Sequence, residues 1–355
     1  YYVCASDLYG WNASNVYYLE ASSIYGPYTP TNNMQVMPGS ADDYGHVTQT
    51  GFFYTVRGTK QETVVYCGDR WAGFAGNDNG YNQWCPISFV DGKPYFNSLS
   101  QWHLNAETGE WSVGKNNNYV KNFSFDADRV NIPSGKKPSQ AFLRGWTTEV
   151  KKGNKVAIGD GNSPVLNANN SRTDRATVMG NKCLNISDKA DFQRTVYQKI
   201  SSTTHVPLAD GTYTLTAYAK MGKSFNEMYM YATSGGKTFK TDMNIADGHW
   251  HLYTMEGVVV SGGQVEVGFY ADGQANNWCH IDDVALVKDS VDNNGTGSGD
   301  TDAISVAIIQ ADGRKNTQYF NLAGKRIEQP SRGIYLVRTV SADGKVACNK
   351  KILKP

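Results

Sequence analysis

Charge is scarce in this sequence. Asp, Glu, Lys and Arg make up 19% of 355 residues, 34 bases against 33 acids, for a formal net charge of +1. A dedicated nucleic-acid binder would carry a basic stripe, and this balance argues against one. Long hydrophobic runs are also missing: none approaches the roughly 20 residues that a membrane-spanning helix needs. Cysteine is limited to Cys4, Cys67, Cys85, Cys183, Cys279 and Cys348, with no C-x-x-C pair. That spacing argues against a zinc site and leaves disulfides open. The first residue is not Met, and no basic segment with an apolar stretch follows it. Tyr1-Tyr2-Val3-Cys4-Ala5-Ser6 reads as the middle of a β-strand, so more chain is expected ahead of it.

What the sequence has in quantity is glycine (36), tyrosine (22) and tryptophan (8), with a mean hydropathy of −0.50. A charge-poor, Gly- and Tyr-rich chain predicts an extracellular all-β protein. Residues 1–130 are aromatic and turn-rich and hold Trp11, Trp71, Trp84, Trp102 and Trp111. Runs such as Gly51 to Val56 and Thr63 to Cys67 read as short strands at the spacing of a sandwich, barrel or propeller. Residues 138–288 read as a second β unit. Gly211 to Tyr218 alternates strictly, and Gln264 to Phe269 and His280 to Leu286 do the same, the pattern of strands with one buried face. Residues 289–302 carry four acids among Gly, Asn, Ser and Thr and read as a flexible linker. Residues 303–355 hold ten Lys or Arg against three Asp or Glu, a charge of +7 scattered between short strands, and predict a small β-domain with a solvated basic surface.

Four ordered blocks in the first unit carry a resemblance. They are Ser6-Asp7-Leu8-Tyr9-Gly10-Trp11-Asn12-Ala13-Ser14-Asn15, Thr48-Gln49-Thr50, Gly68-Asp69-Arg70-Trp71, and Tyr81-Asn82-Gln83-Trp84-Cys85-Pro86-Ile87. Together they resemble the closing part of the five-bladed β-propeller of family 43 glycoside hydrolases, in particular the exo-β-1,3-galactanase branch. The chain departs from that pattern at Asn82-Gln83 and at Cys85, where Leu is usual. The family's general acid is a Glu lying shortly before the position that Tyr1-Tyr2 matches, so the resemblance implies a fragment that lacks its acid. A glycosidase needs an acid to protonate the leaving oxygen and a second group to activate water. At the position of Gln49 that branch uses a glutamine where other members use an Asp base. An amide acts as a base only through its imidic tautomer, and the alternative for Gln49 is a hydrogen bond to sugar or backbone. Trp11 and Asn12 are the candidate sugar contacts, a ring for stacking and an amide for hydroxyls, with blade packing as the alternative for Trp11. Asp69 and Arg70 are candidate substrate-binding residues or an ion pair beneath the site.

The second unit resembles a galactose-binding-like, jelly-roll β-sandwich of the carbohydrate-binding module type, on Gly211 to Leu215, Trp250, Gly268 to Gly273 and Trp278 to Leu286. Its candidate sugar contacts are Asp272, Asn276, Asn277 and Trp278. Asp283 falls where such modules place a structural calcium ligand, although the sequence shows no complete ligand set. His249 and His251 flank Trp250 and read as a solvated strand-face pair or, alternatively, a metal pair. In the tail, Gln318 to Arg326, Pro330 to Val337 and Lys350-Lys351 resemble the C-terminal sorting domain of the type IX secretion system. That resemblance implies a Bacteroidetes-like bacterium and a secreted or surface-attached protein.

The expectation is therefore an all-β chain: propeller blades, a β-sandwich and a small β tail. Its implied function is that of an inverting exo-β-1,3-galactanase on arabinogalactan. The alternatives are a family 43 arabinofuranosidase or xylosidase and a non-catalytic surface glycan-binding protein. Implied partners are a polysaccharide and the secretion machinery, with no nucleic acid and no membrane span. No organic cofactor is needed, since protonation and water activation require only paired side chains.

Overall fold

A computed structural model describes residues 1–6, 16–29, 34–40, 48–70, 81–125, 143–155, 167–169, 182–289, 316–320, 326–327, 333–340 and 346–354. For Arg70, Tyr81, residues 167–169 and the strands beyond residue 315 the backbone alone is described. Every regular element among these residues is a strand, as the composition predicts. The chain forms two compact units, Tyr1–Val291 and Asp292–Pro355.

The first unit begins with β1 (Tyr2–Ser6), β2 (Val16–Glu20) and β3 (Gln35–Val36), an open three-stranded antiparallel sheet. Then β4 (Gln49–Arg57), β5 (Glu62–Arg70), β6 (Tyr81–Val90) and β7 (Lys93–Phe96) form a four-stranded meander. Asp91 and Gly92 join β6 to β7 with φ values of 50° and 74°. A two-residue turn of that hand matches the twist of its strands, which is why Asp-Gly closes it. A hairpin of β8 (Trp102–Leu104) and β9 (Trp111–Val113) follows. Val16, Tyr18 and Met37 pack against Tyr66, Cys85, Ile87 and Phe96 to make one small core. Among the described residues neither sheet closes, and the large aromatics Phe52, Tyr54 and Trp84 are each half exposed or more.

Ten strands build the sandwich: β10 (Thr147–Lys152), β11 (Asn167–Asn169), β12 (Lys182–Ser187), β13 (Phe192–Ser201), β14 (Gly211–Met221), β15 (Glu227–Ser234), β16 (Lys237–Asp242), β17 (His251–Val260), β18 (Gln264–Gly273) and β19 (Trp278–Lys288). One sheet runs β10-β13-β18-β15-β16 and the other β11-β12-β19-β14-β17. The alternation read from β14 is realised: Tyr213, Leu215, Ala217, Ala219 and Met221 are buried and their neighbours are not. They meet Val196, Met230, Val267 and Phe269 of the facing sheet across a continuous apolar core. Burying side chains of this size is worth about 1.5–3 kcal/mol each.

The segment between the two cores belongs to both. Phe123 packs against each of them. Asn118 accepts the Leu286 amide through Oδ1 at 3.0 Å and donates from Nδ2 to the Val284 carbonyl at 3.0 Å. Phe125, Trp146 and Phe269 form a ring column, with Trp146 stacked on Phe269 at 6.1 Å between centroids.

The second unit contains β20 (Asn316–Phe320), β21 (Arg326–Ile327), β22 (Gly333–Val340) and β23 (Val346–Lys354), in the antiparallel order β21-β20-β22-β23. Of the linker read at 289–302, all but Asp289 lies outside the described residues.

Candidate functional site

In the meander, Gln49 opens β4 and faces Asp69 of β5, which in turn faces Asn82 of β6. The pairing sets these three polar residues in one row at a single end of the sheet. Both Gln49 and Asp69 are half-buried. Ser6, at the end of β1, brings its hydroxyl to this end and accepts the Thr50 amide at 3.3 Å. Behind the row, the buried Thr48 hydroxyl lies 2.7 Å from the Tyr66 hydroxyl, and burial pushes the Tyr66 phenol well up. Gly68 leaves room for this packing, while Gly51 lies against the Cys67 carbonyl and the Asp69 carboxylate. A Cβ on Gly68 would sit 2.5 Å from the Tyr66 ring. Arg70 follows Asp69 on β5, with its side chain not described. Trp11, Asn12 and Trp71 lie outside the described residues.

In the sandwich the four loop candidates are held in different ways. Asp272 stands on the outer side of β18 and accepts Gln193 Nε2 at 2.8 Å and Asn226 Nδ2 at 3.1 Å. Asn276 adopts a φ of 67°, and its amide donates to the Asp188 carbonyl at 2.8 Å. Asn277 is buried, with Nδ2 committed to the Ser224 carbonyl at 2.9 Å. Trp278 opens β19 on the other sheet, its ring 4.9 Å from that of His280 and packed over Gly222. Asp272 and Trp278 therefore belong to opposite sheets.

Asp283 is in the left-handed region at φ 47°, and its amide donates to Oδ1 of the fully buried Asp282 at 2.8 Å. Among the described residues no three His, Cys, Asp or Glu side chains come together as a metal cluster. Asp282 and Asp283 carry four carboxylate oxygens between them, against the six to eight oxygens of a calcium shell. His249 lies ahead of β17 rather than on it, and its amide donates to Asp247 Oδ1 at 2.9 Å. The same carboxylate meets His251 Nε2 at 2.9 Å.

Sequence reasoning did not single out a groove of about 410 Å³ across the outer face of β10-β13-β18-β15-β16. Its floor is four tyrosines. Tyr229 and Tyr270 stack with centroids 5.1 Å apart and planes at 28°, and Tyr231 stands 6.2 Å from Tyr229. Tyr197 donates to Glu149 Oε1 at 3.1 Å, and Tyr231 to Glu266 Oε1 at 2.8 Å. Glu149 pushes the Tyr197 phenol up, whereas burial, then Glu266, does so for Tyr231. Gly268 lies between Tyr197 and Tyr231 in the strand register. A Cβ there would come 2.6 Å from the Val196 carbonyl, 2.7 Å from Tyr197 Cβ and 2.9 Å from the Tyr231 ring, so only glycine leaves the two rings their places. One sequence signal was available: Met228-Tyr229-Met230-Tyr231 alternates, which sends the methionines inward and aims the aromatics the other way.

No protein-family model matches the chain, and no curated protein matches it. Solved structures similar to it include TmCBM61 in complex with β-1,4-galactotriose, 14% identical, covering 48% of this chain and 99% of that one, with a TM-score of 0.36. Another is exo-β-1,3-galactanase from Phanerochaete chrysosporium with β-1,3-galactotriose, 17% identical, covering 81% of this chain and 54% of that one, TM-score 0.31. A third is the K3 cleaved adhesin domain of Lys-gingipain from Porphyromonas gingivalis, 18% identical, covering 41% and 91%, TM-score 0.25. The chain spans about half the length of the galactanase it matches.

Proposed function

We propose that this chain binds glycan, and that the sugar lies along the tyrosine groove of the sandwich. The observation that carries this reading is the floor of four tyrosines with polar and charged groups along its walls. The C–H face of a sugar ring stacks on an aromatic plane, and hydroxyls pair with carboxylate, ammonium and phenol groups at its edge. An open groove suits a chain of sugars better than a small molecule enclosed on all sides.

Within the same reading, the blade-like sheets belong to a glycosidase acting on plant polysaccharide side chains, an inverting exo-β-1,3-galactanase on arabinogalactan. Gln49 would then stand opposite a general acid contributed from outside the motifs quoted above. The row of Gln49, Asp69 and Asn82 at one end of the meander supports this assignment. Attack by water with inversion needs an acid on one side of the bond and a water-activating group on the other. The basic tail acts as a secretion address, which makes the protein secreted or surface-attached.

Calorimetric titration with β-1,3-galactotriose tests the binding part. Tyr229→Ala and Tyr270→Ala are each expected to weaken binding about tenfold, equivalent to about 1.4 kcal/mol. Unchanged affinity in both variants would remove the groove from the proposal. For the catalytic part, hydrolysis of β-1,3-galactan by the native full-length protein should be lost in Gln49→Ala while affinity is retained. Hydrolysis at the wild-type rate would leave Gln49 as a sugar or backbone contact.

A further inference from the structure

The geometry points to an anionic sugar unit, one carrying a carboxylate or a sulfate, as the residue held over Tyr229 and Tyr270. This inference rests on the glycan-binding reading and names its ligand class. The two edge strands of the sheet, β10 and β16, each send a lysine inward over the central tyrosine pair. Lys240 Nζ lies 4.0 Å from the Tyr229 ring centroid, and Lys151 Nζ lies 5.6 Å from that of Tyr270. Two ammonium groups thus flank one stacked pair from opposite walls.

The remaining charges of the groove are already engaged. Glu149 accepts the Tyr197 hydroxyl, and Glu266 accepts the Tyr231 hydroxyl while lying 4.0 Å from Lys199 Nζ. Among the described residues neither Lys151 nor Lys240 is in an ion pair, and each has a tyrosine ring as its partner. Glu227, Asp242 and Asp272 share this face of the sheet but do not line the groove, and Asp272 is held by two amide side chains. A cation resting on an exposed ring is weakly held, and a charge-assisted hydrogen bond to an anion is stronger. An incoming carboxylate or sulfate would draw the two ammonium groups off the rings, which frees the ring faces for the sugar. A neutral sugar would have to displace the same lysines with nothing to offer them in return.

The test is titration of the full chain with three probes at low salt: β-1,3-galactotriose, the same trisaccharide ending in glucuronate, and its sulfated form. The expected result is at least fivefold tighter binding of one or both anionic probes, and the tighter of the two identifies the source of the charge. This preference should shrink in 0.5 M salt, about five times the ionic strength at which the Debye length is ~10 Å, and approach unity in the double variant Lys151→Gln/Lys240→Gln. Equal or tighter binding of the neutral probe overturns the inference and leaves the glycan reading standing. Failure of all three probes to bind a chain that melts cooperatively defeats both.

Discussion

Arg194 and Asp188 form an ion pair in which neither side chain has any exposure. The guanidinium also donates to the Ser187 carbonyl and lies 4.8 Å from the Phe192 ring. Asp188 takes further bonds from the Asn154 amide at 2.8 Å, Asn154 Nδ2 at 2.7 Å and the Ala190 amide at 3.1 Å. Burial by itself would raise the Asp188 carboxyl. The backbone amides of Asn154 and Ala190, the Asn154 side chain and Arg194 outweigh it and hold the group below its ordinary value.

Removing either partner strands a charge inside the sandwich. Asp188→Asn and Arg194→Met are each expected to cost about 3–5 kcal/mol, read as a drop in the urea midpoint. Because the folded carboxyl is depressed, its contribution is complete above the unfolded value of about 3.9 and is lost as pH falls through the lower folded value. Melts between pH 5 and pH 2 should therefore show wild type losing stability more steeply than Asp188→Asn. Parallel curves would mean that the pair does not carry the acid sensitivity.

Gln198 ties the segment between the two cores to the sandwich. Its Oε1 accepts the Lys121 amide at 2.8 Å, and Nε2 donates to the Lys121 and Gly145 carbonyls, both at 2.9 Å. Gln198→Ala leaves these backbone groups without a partner, at a cost of about 1–3 kcal/mol. Limited proteolysis should cut near Lys121 several times faster in the variant than in wild type. An unchanged cleavage pattern would show that Phe123 and the Asn118 bonds hold the segment without it.

Gly268→Ala probes the groove through its floor. The added methyl has the Val196 carbonyl 2.6 Å away and the Tyr197 and Tyr231 side chains within 3 Å, so strand or rings must shift. The expected outcome is a stability loss of about 1–3 kcal/mol together with weaker glycan binding. Wild-type affinity in the variant would argue that the sugar does not use Tyr197 or Tyr231.

Composition and local patterning are enough to set the class of structure. Low charge, abundant glycine and tyrosine, and strict alternation in segments such as Gly211 to Tyr218 leave strands as the way to bury one face and solvate the other. The sequence also placed Gln49 and Asp69 together among the candidates, and pairing between neighbouring strands β4 and β5 sets them side by side. Local information suffices there because the two strands are consecutive. The groove could not be read in this way. Its tyrosines at 197, 229, 231 and 270 come from three strands whose spatial order, β13-β18-β15, is not their order in the chain. Register across those strands, and the absence of a side chain at Gly268 between them, bring the rings together. The same holds for Lys151 and Lys240, which sit on the two outermost strands and reach one ring pair only because the sheet lies between them. Alternation says which face a side chain takes, and only the pairing of distant strands decides which side chains share it.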